Sequence, residues 1–154
     1  MNKLLSLLVP LALSGLSGSA QADKTCAKTG TPLIAEVHNY GAIDFGASGF
    51  EIYPSGAWHV YHHDPKAMDT LDASGCLTDK ELAAVKDALA KAPWKIAHSE
   101  ITCDALAIGS TDWTAGKHAF SQVLCGHDSI DAETEKAFAI VQKLEQQYTP
   151  QKQR

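Results

Sequence analysis

Four cysteines, Cys26, Cys76, Cys103 and Cys125, constrain this chain most, because the stretch before them reads as an export signal. Met1-Asn2-Lys3 gives a positive start, Leu4 to Leu13 is nearly continuous aliphatic, and Ala20-Gln21-Ala22 has the small-x-small form that signal peptidase cleaves. The apolar run is too short for a permanent span. Residues 1–22 are therefore expected to be a signal peptide, and the product periplasmic or secreted, with no membrane insertion once the signal is removed. Asp23-Lys24-Thr25 precedes Cys26 where a lipoprotein would need a Leu and a small residue. In an oxidising compartment an even cysteine count predicts two disulfides.

Four cysteines allow three pairings. Cys103 and Cys125 fall in apolar segments that read as a hairpin with its connection near Ser110 to Gly116. That favours Cys103–Cys125 together with Cys26–Cys76. There is no C-x-x-C, and the spacings are not those of a zinc ribbon or knuckle.

The remaining patterning predicts one α+β domain over residues 23–148, followed by a frayed tail over 149–154. Leu33 to His38 reads as a first strand, and the glycine-rich stretch Asn39 to Gly49 as a loop. Phe50 to Tyr53 and Ala57 to His62 alternate around Pro54-Ser55-Gly56, which predicts a hairpin. Thr78 and Glu81 form a capping box, Leu82, Val85 and Leu89 mark a buried helical stripe, and Pro93 ends the helix. One or two strands are expected within Trp94 to Ile108, and another within Lys117 to Leu124. Asp131 caps a second helix from Ala132 to about Gln147, with Phe138, Val141 and Leu144 buried. The expected fold is a two-layer sandwich: a mainly antiparallel sheet of four to five strands with two helices packed on one face.

The formal net charge is −5, and loss of Lys3 with the signal takes it to −6, so a basic nucleic-acid footprint is absent. Hydrophobic residues at 45% and charged residues at 20% exclude a disordered chain. No catalytic residue is identified: Gly46-Ala47-Ser48-Gly49 is not a nucleophile elbow, and no carboxylate pair sits in an acid/base frame. No cofactor is implied, and the protein is read as not an enzyme.

Two candidate sites remain. His59, His62 and His63 form a histidine cluster suited to a metal ion. His59 and His63 share a strand face but lie roughly 13 Å apart at about 3.3 Å per residue, so a site needs help from His38, His118 or His127. Trp113 sits in the polar stretch Gly109 to Gly116, read as a hairpin tip. A tip tryptophan either tucks over the sheet edge or stands out as an anchor for a partner. The anchor reading gives a partner-binding set of Ser55, Gly56, Asp112 and Trp113.

Gly75-Cys76-Leu77, Glu81-Leu82, Ala92-Pro93-Trp94, Cys103 and Cys125-Gly126 resemble the pattern of a group of small exported bacterial proteins, over roughly residues 48–146. That resemblance implies no activity. Ser48-Gly49-Phe50 before a hairpin, a helix, a second hairpin and a terminal helix also resembles the emfourin-like inhibitors of thermolysin-type metallopeptidases. The expected function is accordingly a disulfide-stabilised, non-catalytic binding module whose partner is a protein, an envelope or secreted hydrolase, with a peptidase favoured. The alternative is a periplasmic metal-binding protein using His59, His62 and His63.

Overall fold

Alternation along the strands decides which side chains meet. The computed structural model describes residues 26–40, 46–63, 70–97, 109–123 and 129–149, with His63 and Val123 described in backbone only. The elements run β1 Ile34–Asn39, β2 Ala47–Ile52, β3 Ala57–His63, β4 Thr70–Cys76, α1 Asp79–Lys91, β5 Ile96–Ala97, β6 Ser110–Ala115, β7 His118–Val123, β8 Ser129–Ile130 and α2 Ala132–Tyr148. Six strands make one sheet in the order β4-β3-β2-β1-β6-β7, and β5 pairs with β8 in a small second sheet. Every pairing is antiparallel. The fold is α+β, as expected, but the sheet has six strands rather than four to five.

The extra strand is β4. It reads Thr-Leu-Asp-Ala-Ser-Gly-Cys, in which Leu71 is the one large apolar residue and is exposed, and it lies at the sheet edge where only β3 pairs with it. Its register with β3 shifts between Val60 and Tyr61. Two other boundaries differ from expectation. β2 begins at Ala47, inside the stretch read as a loop. Ser110–Ala115 is itself a strand, and the turn that follows it is at Gly116 and Lys117. Segment 98–108 and Cys103, Cys125 and His127 lie outside the described residues, as does most of the tail.

The register stacks the inward side chains in rows across the sheet. One row reads Trp58, Ile52, Ile34, Ala115. The next reads Val60, Phe50, Glu36, Trp113, Phe120. Val85 of α1 and Phe138, Val141 and Leu144 of α2 join these residues in one hydrophobic cluster. Phe138 is its hub: its ring stacks on Trp113 at 4.0 Å and meets the rings of Trp94 at 5.5 Å and Phe120 at 5.8 Å. Such ring pairs add about 0.5–1.5 kcal/mol each beyond the area they bury. Gly75 of β4 lies against the Trp58 indole, where a Cβ would come within 2.7 Å of a ring carbon, so a glycine is needed there.

The helices begin where the sequence places them. Thr78 and Glu81 complete the capping box of α1. Glu81 also accepts from the Tyr148 hydroxyl and from Gln147, which ties the start of α1 to the end of α2. Asp131 caps α2 through the N–H groups of Glu133 and Thr134, and accepts from Lys95 N–H at 2.9 Å. Desolvation opposes its ionisation, but bonds from Thr134, Lys95 and Glu133 outweigh this and hold the carboxyl down at about 2. A depressed native pKa adds stability that is present above the ordinary carboxylate range and lost as pH falls towards the native value. Asp131→Asn keeps a capping oxygen but cannot titrate. The wild type should therefore lose stability relative to Asp131→Asn as pH is lowered from about 4, the ordinary Asp range. Parallel acid-unfolding curves for the two proteins would contradict this role.

Candidate functional site

One inward position breaks the apolar row. Glu36 occupies the middle of the row of Val60, Phe50, Trp113 and Phe120, and it is 0% exposed. β1 is central in the sheet, with β2 on one side and β6 on the other. Two residues along, on the same face, is His38, opposite Ser48 of β2 and Thr111 of β6. Glu145 reaches the same place from α2. Among the described residues, Glu36, His38 and Glu145 are the group whose donor atoms converge, each offering one within 4.8 Å of the others.

His38 stands between the two acids. Its Nε2 is 3.3 Å from Glu36 Oε1 and 3.5 Å from Glu145 Oε2, and its Nδ1 shares a hydrogen bond with the Thr111 hydroxyl at 3.1 Å. Gln142, one helical turn before Glu145, donates to Glu36 Oε1 at 3.3 Å. Glu36 Oε2 is buried with no hydrogen-bond partner. A carboxylate oxygen left bare in this way costs about 1–3 kcal/mol, more if charged. Burial, and next the nearby Glu145 charge, push the Glu36 carboxyl up to about 7, against the pull of His38 and Gln142. The hydrogen bond to Glu145 raises His38; burial works against it, and the two acidic charges reinforce it. The His38 side chain is 30% exposed and that of Glu145 18%, so the cluster opens to solvent on their side.

Hydroxyl, imidazole and carboxylate in sequence have the order of an activated nucleophile. Acyl transfer also needs free donors for an oxyanion. β1 and β6 each pair with a strand on both sides, so their backbone N–H groups are engaged in ladders. What the cluster offers is two carboxyl groups around one imidazole, with no lysine or arginine ion-paired to it among the described residues.

The expected partner-binding set does not converge. Trp113 is 1% exposed, because β6 points it inward onto Phe138. It is a core residue, and the anchor reading is corrected. Asp112 points to the opposite sheet face, where it accepts from Asn39 and Ser121. Ser55 and Gly56 sit in the β2–β3 turn, two strands away. Ser55 Oγ donates to Ala27 O at 2.7 Å, Gly56 O accepts from Leu77 N–H at 2.8 Å, and Gly56 holds a left-handed φ of 87°. That turn is occupied with internal contacts.

The histidine cluster does not converge either. Strand alternation puts His59 beside Tyr53, ring centres 5.4 Å apart, and His62 on the face of Ser48, while the His63 side chain is outside the described residues. His118 stacks on Trp94 at 5.0 Å. The convergent ligand is His38, which sequence reasoning named only as a helper. The missed signal was Glu36-Val37-His38: two side chains of metal-ligating type at i and i+2 on one strand face. No protein-family model matches the chain, and no curated protein matches it.

Proposed function

We propose that the protein is an exported, disulfide-stabilised, non-catalytic binding module that holds a small cation between β1 and α2. The observation that carries this reading is Glu36: a fully buried carboxyl with a bare oxygen, beside a second carboxylate. A buried carboxyl with one oxygen left without a partner is costly to a fold. Natural chains keep such groups where a function uses them. A bound cation would offset both acids at once, and one held by both oxygens of Glu36 would also satisfy the bare Oε2. The hydrolase-inhibitor reading would need a surface other than the Ser55, Gly56, Asp112 and Trp113 set.

The test is a thermal-shift titration of the untagged, oxidised protein with Zn²⁺, Mn²⁺, Ca²⁺, methylammonium and guanidinium. At least one of these should raise the unfolding midpoint saturably, by mass action. Glu36→Gln and Glu145→Gln should each abolish that shift. No saturable shift with any of the five, or a shift unchanged in both variants, would remove the reading.

A further inference from the structure

Resting on that reading, we infer that the cation is a late first-row divalent metal ion, Zn²⁺ fitting best, bound by Glu36, His38 Nε2 and Glu145. The distances support it. An ion with bonds of about 2.0–2.1 Å in tetrahedral geometry separates its ligand atoms by roughly 3.3–3.4 Å. His38 Nε2 already lies 3.3 Å from Glu36 Oε1 and 3.5 Å from Glu145 Oε2. The remaining edge, between the two carboxylates, lies within 4.8 Å, and the half-buried Glu145 of α2 is the ligand that would shift to complete the geometry.

The donor set narrows the metal. One imidazole with two carboxylates suits zinc and its neighbours better than Mg²⁺ or Ca²⁺, which take oxygen alone. Copper(I) prefers thiolate or thioether sulfur, and none of these three ligands is a sulfur. Thr111 supplies the outer contact such sites need: its hydroxyl on Nδ1 fixes the ring so that Nε2 faces the ion. Three protein ligands leave a coordination position open, on the side where His38 and Glu145 meet solvent.

Cobalt(II) chloride is the probe, added to the untagged, oxidised protein. The expected result is one equivalent of Co²⁺ with the intense visible bands of a four- or five-coordinate ion, bleached by Zn²⁺. His38→Gln should lose the bands. Thr111→Val, which leaves all three ligands in place, should weaken Zn²⁺ binding by about 10-fold or more. Unchanged bands in His38→Gln would place the metal elsewhere and overturn the inference. Absence of bands, with methylammonium still giving a shift that Glu145→Gln abolishes, would overturn the metal and leave the cation reading standing. Absence of bands together with no saturable shift from any of the five cations would overturn the two together.

Discussion

Replacing Cys26 and Cys76 with serine is expected to lower stability by about 3–4 kcal/mol, read as a fall in the urea midpoint. The bond joins residues 50 apart, with Cα atoms 5.8 Å from each other. In the chain-entropy account, closing a loop of that length beforehand is worth about 4 kcal/mol. That is a large part of the 5–15 kcal/mol that holds a typical domain together. The bridge also fixes the segment after Cys26. Ala27 O accepts from Ser55, and the Lys28 ammonium lies 3.4 Å from Glu51 and 5.1 Å from the centre of the Tyr53 ring. Those contacts should loosen together in the variant. The bridge ends at Cys76, the last residue of edge strand β4, so its loss frees a strand that has one neighbour. A midpoint within error of the wild type would mean that the N-terminal segment and β4 hold their places without it.

Glu36→Met is expected to have the opposite sign. A methionine has similar length, and its row mates are Val60, Phe50, Trp113 and Phe120. It removes a buried acid with a bare oxygen, and it leaves His38 and Glu145 to pair with each other, partly exposed. Gln142 loses an acceptor but is exposed and can turn to water. A buried polar oxygen left without a partner costs about 1–3 kcal/mol, and the substitution lifts that cost while His38 keeps Glu145 as its partner. A gain of about 2 kcal/mol is expected here, a rise of several degrees in Tm, with complete loss of cation binding. Stability gained with function lost is the mark of a site that strains its fold. A variant less stable than the wild type by 1 kcal/mol or more would make Glu36 a structural residue, and the binding reading would lose its support.

The helices were legible because their signals are local. Thr78 with Glu81, Asp131, and the stripe Phe138, Val141 and Leu144 each lie within a few turns of chain, and the structure uses them as expected. The β2–β3 hairpin was legible for the same reason. β4 was not, since an edge strand that buries little carries small side chains and no buried apolar stripe. Trp113 misled because its neighbours Asp112 and Thr114 are polar. In a strand those neighbours face the other side and say nothing about burial. The cluster was hidden for a different reason. Glu36 and His38 are adjacent on one strand, but nothing in the chain between them and Glu145 indicates that a helix crosses there. His59 and His62, close in sequence, lie on opposite faces of β3.

Insertion of β6 beside β1 fixes when the site can exist during folding. β1 to β4 and α1 join through neighbouring segments and can assemble early. His38 and Thr111 are 73 residues apart, and Glu36 and Gln142 are 106 apart, so the cluster closes through contacts of long sequence separation, which are expected to form late. A half-folded chain, with β1 to β4 in place, holds two of the three side chains of the proposed site and should bind weakly or not at all. Ligand retention would then report completed folding, and a saturated protein should resist proteolysis through global opening in proportion to the free ligand around it.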